Sequence, residues 1–273
     1  MLCPVWGGVD FDNTDDVIGF GAGNGSGTAL MPLTISIWIK PRSRPAGTNP
    51  DWKDVILWKS SDLINGSYGL SHNSSGTISF RIRSSTSTNY TVTSTSSSPL
   101  NEWTHVAAVA DNTAHEIYIY FNGIKEATLA TANEITNTQA LELGRLNAPG
   151  FYYQFDGVMT EFALWNIALS DAEILQLAKS KIKGIPLQTQ SDTLVIYCPL
   201  DDEADGTSAD GDIFMNLAGD AYDGIGVDGA NNTGLTATAE AVLSYPWSTW
   251  TVITPTASAP APSGRTYIAN AFM

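Results

Sequence analysis

Apolar and polar residues alternate with period two along much of the chain. In LTISIWIK, Leu33, Ile35, Ile37 and Ile39 fall on one side and Thr34, Ser36, Trp38 and Lys40 on the other. TISFRIR sets Ile78, Phe80 and Ile82 against Ser79, Arg81 and Arg83, and HEIYIYFNG sets Ile117, Ile119 and Phe121 against Tyr118 and Tyr120. Such runs predict strands of antiparallel sheets with one face on a core and the other toward water. The last of them ends in Asn122-Gly123, a pair that readily takes positive φ and so predicts a tight hairpin turn.

One stretch changes period. In LSDAEILQLAKSKIKG, Ser170 and Glu173 form the sequence of a capping box, and Ile174, Leu177 and Ala178 share a helical face. Lys179, Lys181 and Lys183 favour the C-terminal end and Gly184 is the expected stop, so a short peripheral helix is predicted over about 170–183. Turn-rich segments such as GAGNGSGT, SSTSTN and DDEADGTSADGD separate the strands. Residues 255–264, PTASAPAPSG, read as an extended linker leading to RTYIANAFM, an apolar-alternating segment suited to docking on its own domain or on a neighbouring subunit as an added strand.

Composition narrows the picture. The chain has 273 residues, 43% hydrophobic and 15% charged, enough to bury a full core. Its formal charge is −15, which repels phosphate backbones and argues against nucleic-acid binding. Between Gly184 and Gly264 there is no Lys or Arg but there are eleven acids, a layout suited to cations or to a basic partner. No apolar run is long enough to span a bilayer, and MLCPVWGGVDFD lacks the basic start and apolar stretch of a signal peptide. Either a leader was removed and replaced by Met or the standard export route is not used, the second case pointing to cytoplasmic assembly, as in a virus particle released by lysis. Cys3 and Cys198 have no metal-ligand spacing. They could form one disulfide if the first and last core strands are neighbours, or remain two thiols.

Candidate chemistry centres on VDFDNTDDVIGF, where Asp10, Asp12, Asp15 and Asp16 crowd into seven positions. Three readings fit: a metal cradle, a catalytic cluster, or a hydrogen-bonded turn between strands. A second acidic loop, DDEADGTSADGD, places Asp201, Glu203, Asp205 and Asp212 at positions 1, 3, 5 and 12 with Gly206 at 6, as in a calcium loop, but lacks the final Glu and flanking helices. Catalysis has little support. No G-x-S-x-G elbow occurs, His72 and His115 sit at turn or strand-end positions, His105 sits within a strand, and GFGAGNGSG neither completes a dinucleotide fingerprint nor precedes a helix.

Four stretches in order carry a family resemblance: VDFDNTDDVIGF, LTISIWIKP, NEWTHVAAVADNTAHEIYIYFNG and YQFDGVMTEFALWNIALSDAEI. Together they resemble the laminin G-like branch of the concanavalin A-like lectin/glucanase superfamily across roughly residues 5 to 180. Asn13 stands where the opening motif usually has glycine. The resemblance implies an all-β jelly-roll sandwich of two antiparallel sheets in a non-enzymatic protein that binds glycans or proteins, often with calcium at one loop end. It also implies that Asp156 comes near Asp12, Asp15 and Asp16, and that Trp38, Trp103 and Trp165 pack in the core. The carboxylate alternation of the superfamily's glycosidases, E-x-D-x-x-E, is met here only by Glu203-Ala-Asp205, which lacks the third acid.

The expected organisation is therefore a jelly roll over residues 1–250 followed by a linker and docking segment over 251–273, whose part 265–273 would engage neighbouring subunits. Function is expected to be structural and adhesive at a virion or extracellular surface, or else calcium-dependent carbohydrate binding by a secreted module, with a glycoside hydrolase using Glu203 or Asp205 the least supported alternative. Trp52, Trp58, Tyr68, Tyr152 and Tyr153, in or near predicted loops, are the candidate sugar platforms.

Overall fold

The computed structural model describes residues 7–20, 32–45, 54–59, 68–84, 88–131, 140–148, 151–180, 184–200, 213–214, 216–218, 224–227 and 236–238. In chain order its strands begin with β1 (Gly8–Asp12), β2 (Val17–Gly19), β3 (Leu33–Pro41), β4 (Asp54–Lys59), β5 (Tyr68–His72) and β6 (Thr77–Arg83). Next come β7 (Asn89–Ser97), β8 (Thr104–Asp111), β9 (Glu116–Phe121), β10 (Ile124–Ala130), β11 (Leu141–Leu143), β12 (Arg145–Ala148), β13 (Phe151–Gln154) and β14 (Asp156–Trp165). Helix α1 (Asp171–Lys179) precedes β15 (Leu194–Cys198), β16 (Ile213–Phe214), β17 (Gly224–Val227) and β18 (Thr236–Thr238).

Two antiparallel sheets face each other. The first runs β10-β9-β8-β3-β14-β1-β18, with β15 also paired to β14, and the second runs β16-β17-β2-β11-β4-β5-β6-β7. Between them lies the core that the alternation foretold. Leu33, Ile35, Ile37 and Ile39 of β3 meet Leu57, Leu70, Phe80 and Ile82 from the opposite sheet. The Asn122-Gly123 turn takes φ of 50° and 81°, as a tight right-twisting hairpin requires.

The expectation of one wet face fails for the first sheet. Its outer residues Ala107, Val109, Ala163 and Trp165 are buried under Ile174 and Leu177 of α1, with Leu169, Ile185 and Leu194 completing a second cluster. The helix has both halves of its capping box, Ser170 with the Glu173 backbone and the Glu173 side chain with the Ser170 backbone. It ends earlier than foreseen, at Lys179, because Ser180 is already extended. Gly184, the expected stop, instead opens a short 3₁₀ turn over Ile185–Gln188 with φ of 78°.

Strand β14 is the seam of the molecule. Its first half pairs with β1 and its second half with β15, and the register with β3 slips between Thr160 and Ala163. At that bulge Glu161 adopts φ of 54°, and its buried carboxylate accepts the Tyr197 hydroxyl at 2.9 Å from each oxygen. The Thr160 hydroxyl sits 2.9 Å from the Gly7 carbonyl and 2.8 Å from that of Pro199, tying the N-terminal strand to the end of β15. Gly157 is required where β14 passes β3: a Cβ there would lie 2.3 Å from the Lys40 carbonyl oxygen. Cys198 is buried opposite Phe162, whereas Cys3 lies outside the described residues, as do 251–273.

Candidate functional site

At one end of the sandwich the chain crosses from β1 to β2 through Asn13–Asp16, the stretch that drew attention in the sequence. Phe11 points into the core and Val17 is buried, so the acids between them are held at the rim. Asn13 takes φ of 66°, a left-handed conformation that Asn tolerates, so it serves where the family motif has glycine. Its N–H donates to the Phe155 carbonyl at 3.1 Å. Gly144 lets the neighbouring strand come close, since a Cβ there would stand 2.4 Å from the Phe11 ring.

Asp12, Asp15 and Asp16 each present a carboxylate oxygen, and these atoms lie within 4.8 Å of one another. Asp16 is nearly fully buried and its Oδ2 accepts the Asp12 N–H at 2.7 Å, while Asp12 Oδ1 accepts the Thr14 N–H at 2.8 Å. The turn reading and the cradle reading thus use the same residues. The expected fourth member, Asp156, does stand opposite Asp12 across the β1–β14 pair. Its Oδ1, however, accepts from Arg42 at 2.7 Å, and Arg42 also pairs with Asp10 and reaches the Phe11 carbonyl at 3.4 Å. Burial raises the Asp10 carboxyl above its ordinary range even against the pull of Arg42. Asp156 is therefore committed to a cation. The donor set left for a metal is three carboxylates and nearby carbonyls, hard oxygen ligands that fit calcium rather than a thiol- or imidazole-seeking ion.

Beside this rim lies a constellation that the sequence did not suggest. His72 ends β5 and points inward, with Nδ1 3.4 Å from Asp54 Oδ2 and Nε2 2.9 Å from Ser98 Oγ. The order Asp–His–Ser is that of a catalytic triad, but all three are sealed at 3%, 0% and 0% exposure. Ser98 also donates to the Gly76 carbonyl through its N–H at 2.8 Å, and Arg44 spans Ser75 and Ser98 carbonyls at 3.1 and 3.4 Å. The trio ties the start of β4, the end of β5 and the residue after β7 together behind the rim. Burial raises the Asp54 carboxyl above its ordinary range, with His72 opposing the shift.

The aromatic platforms need correction. Trp58 is almost wholly buried with Val55 and Leu146, and the β12–β13 hairpin brings half-buried Tyr153 onto this cluster. Tyr68 is wholly buried in the main core. Neither can serve as an open platform, because the strands β4 and β5 that carry them are covered on both faces. Trp52 lies outside the described residues, as do the Tyr152 side chain and the acidic loop with Asp201, Glu203, Asp205 and Asp212. Trp38 and Trp165 are buried as the resemblance implied, and the Trp165 indole donates to the Thr189 carbonyl at 2.7 Å.

Two facing antiparallel sheets with a capped helix on one outer face define a lectin-like jelly roll. Residues 12–175 match the laminin G-like model of the concanavalin A-like lectin/glucanase superfamily, and the chain belongs to that family. Among solved structures, a SAP-like pentraxin from Limulus polyphemus aligns at 18% identity and TM-score 0.50, covering 66% of this chain and 84% of that one. A candidate carbohydrate-binding protein from Bacteroides ovatus aligns at 18% identity and TM-score 0.60, over 86% of this chain and 60% of that one. A leech intramolecular trans-sialidase aligns at 21% identity and TM-score 0.50, over 62% of this chain and 26% of that one. At such identities the likeness is one of fold. No curated protein sequence matches the chain.

Proposed function

We propose that this is a non-enzymatic, glycan-facing adhesion protein of a virion or other extracellular surface assembly, with a calcium-binding rim. The observation that carries the reading is the convergence of Asp12, Asp15 and Asp16 within 4.8 Å at one end of a lectin-like sandwich. Calcium held there would fix the crossing loop and offer open coordination positions to vicinal sugar hydroxyls. Asp12 and Asp15 are the half-exposed members, and Asp15, whose carboxylate accepts no backbone bond within the turn in the way Asp12 does from Thr14, is a natural point of contact with a bound ion. A non-catalytic role is supported by the acids themselves: Asp10 and Asp156 are tied to Arg42, and the Asp54–His72–Ser98 trio is closed to any substrate. Among the described residues no helix is long and apolar enough to cross a membrane.

The test is a glycan array probed with the intact protein in calcium and in chelator, with calcium titration calorimetry alongside. Calcium-dependent binding is expected, with Asp15→Ala weakening calcium at least tenfold. An array that stays blank in both conditions, together with no heat on calcium addition, overturns the proposal.

A further inference from the structure

The two sheets end on four strands, β10, β18, β16 and β7. An end strand presents backbone N–H and C=O groups with no ladder partner, and chains blunt it with charge, proline, a bulge or brevity. Three of the four are blunted. β16 and β18 have two and three residues, and β10 carries Lys125 and Glu126 at a slip in its register with β9. β15, paired to β14 on one side, has its other side taken by Asn216 and Leu217.

β7 is the exception. It is nine residues long, NYTVTSTSS, with no charge and no proline, and among the described residues it pairs on one side only, with β6. The Glu126 carboxylate closes its far end by taking the N–H groups of Thr95 and Ser96. Asn89–Thr93 lies before that clasp in regular register with β6, and Asn89, Thr91 and Thr93 are exposed. A second observation falls on the same border. Of the four partly buried apolar side chains packed against the main core, Tyr90 stands on β7, and Ala127 and Leu129 stand on β10, which lies against β7. The core is thus left ajar between these two strands, where a further strand with one apolar face would close it.

We infer that the open edge of β7 receives the C-terminal segment 265–273 of a neighbouring copy as an added strand. The segment, RTYIANAFM, lies outside the described residues, and its sequence matches the edge in three ways. It has nine residues, as β7 has. As a strand it sets Tyr267, Ala269, Ala271 and Met273 on one face, suited to covering Tyr90 and Leu129. It contains no acid, so it approaches a −15 chain without repulsion. β18, the last described strand before the segment, stands at the opposite end of the first sheet from β10. The chain therefore leaves on the side away from its own β7, which suits joining copies head to tail. The inference rests on the surface-assembly reading above and adds to it the site at which copies join.

Amide hydrogen exchange is measured on the full chain at a concentration where it is assembled, and on a chain ending at residue 264. At least two amides of Asn89–Thr93 are expected to exchange at least tenfold more slowly in the full chain, with Val106 inside β8 unchanged. Dilution of the full chain to monomer should remove that protection. Thr91→Asp with Thr93→Asp, at exposed positions, is expected to weaken assembly at least tenfold by sedimentation. Gln176→Glu with Gln188→Glu adds the same two charges at exposed positions on α1 and the 3₁₀ turn after it, and should leave assembly unchanged. Near-ultraviolet circular dichroism checks that each altered chain is folded. Exchange at Asn89–Thr93 that ignores truncation, protection that persists in the monomer, or assembly indifferent to the Thr91 and Thr93 changes overturns the inference. Equal loss in the glutamine variant does the same. In each of these cases an oligomer by sedimentation leaves the assembly role standing. A full chain that is monomeric throughout removes both.

Discussion

Two buried histidines show how much a side chain's role depends on what surrounds it. His105 has no exposure, lies edge-on to Trp38 at 5.2 Å, and has Nε2 2.9 Å from Ser36 Oγ. Burial lowers its pKa to about 3 from the ordinary 6.5. Because the folded value is depressed, the unfolded chain takes up the proton first, so this contribution is complete above 6.5 and is lost as pH falls toward 3. The expected slope is about 1.4 kcal/mol per pH unit within that window, read by urea unfolding at stepped pH. His105→Gln should flatten it, and an unchanged slope would mean another group carries the acid sensitivity. His72 has the same burial but a different setting, between Asp54 and Ser98. Its partners lie 18 and 26 residues away, so a single sequence reads it as an ordinary turn-side histidine. The same distance effect hid the fate of Asp156, which the family order placed near the acidic loop but which Arg42, just past the end of β3, claims.

At the scale of elements, the edges of the two sheets are joined by one side chain. Glu126 of β10 accepts the N–H groups of Thr95 and Ser96 on β7 at 2.8 and 2.9 Å, besides the Ser96 hydroxyl. Burial alone would raise its carboxyl, but these bonds hold it below the ordinary glutamate range. The clasp occupies backbone donors on an edge strand that has no charge or proline of its own, and so limits stray strand pairing. Glu126→Ala is expected to cost about 1–2 kcal/mol. It should also speed hydrogen exchange at Thr95 and Ser96 at least tenfold more than at Val106. Uniform exchange across both strands would count against a local clasp. The alternation of β3, β6 and β9 was plain in the sequence, as was the capping box of α1. What alternation could not reveal was that the segment before α1 and His105 of β8 would meet the outer face of β3, with Thr34 bonded to Ile167 and Leu169 and Ser36 to His105, since Thr34, Ser36 and Trp38 are chemically fit for either water or a polar-lined interface.

For the whole molecule, the proposed place in a surface assembly makes the oligomeric state the informative quantity. The segment 265–273 alternates apolar residues beyond a Pro- and Ala-rich linker, which suits strand addition to a neighbour. Sedimentation of the full chain is expected to show a species larger than the 29.1 kDa monomer, and removal of 265–273 should return it to monomer. A full chain that stays monomeric at high concentration would leave the lectin-like fold standing and remove the assembly role.

The sequence by itself determined the sandwich, its core faces, the hairpin turn and the helix start, because each follows from local period, turn chemistry or capping within a few residues. It also carried the family, through motifs whose roles are now physical. Gly157 makes room for the Lys40 carbonyl, Glu161 receives Tyr197 across the bulge, and Asn13 supplies the left-handed turn. Only the tertiary structure decided which acids stay available and which are neutralised. It alone buried Trp58 and Tyr68, and it alone assembled Asp54, His72 and Ser98 from separate segments. The physical reason is that alternation fixes which side of a strand a residue faces. What it faces is set by strand order and by the layers above, and these are properties of contacts far apart along the chain.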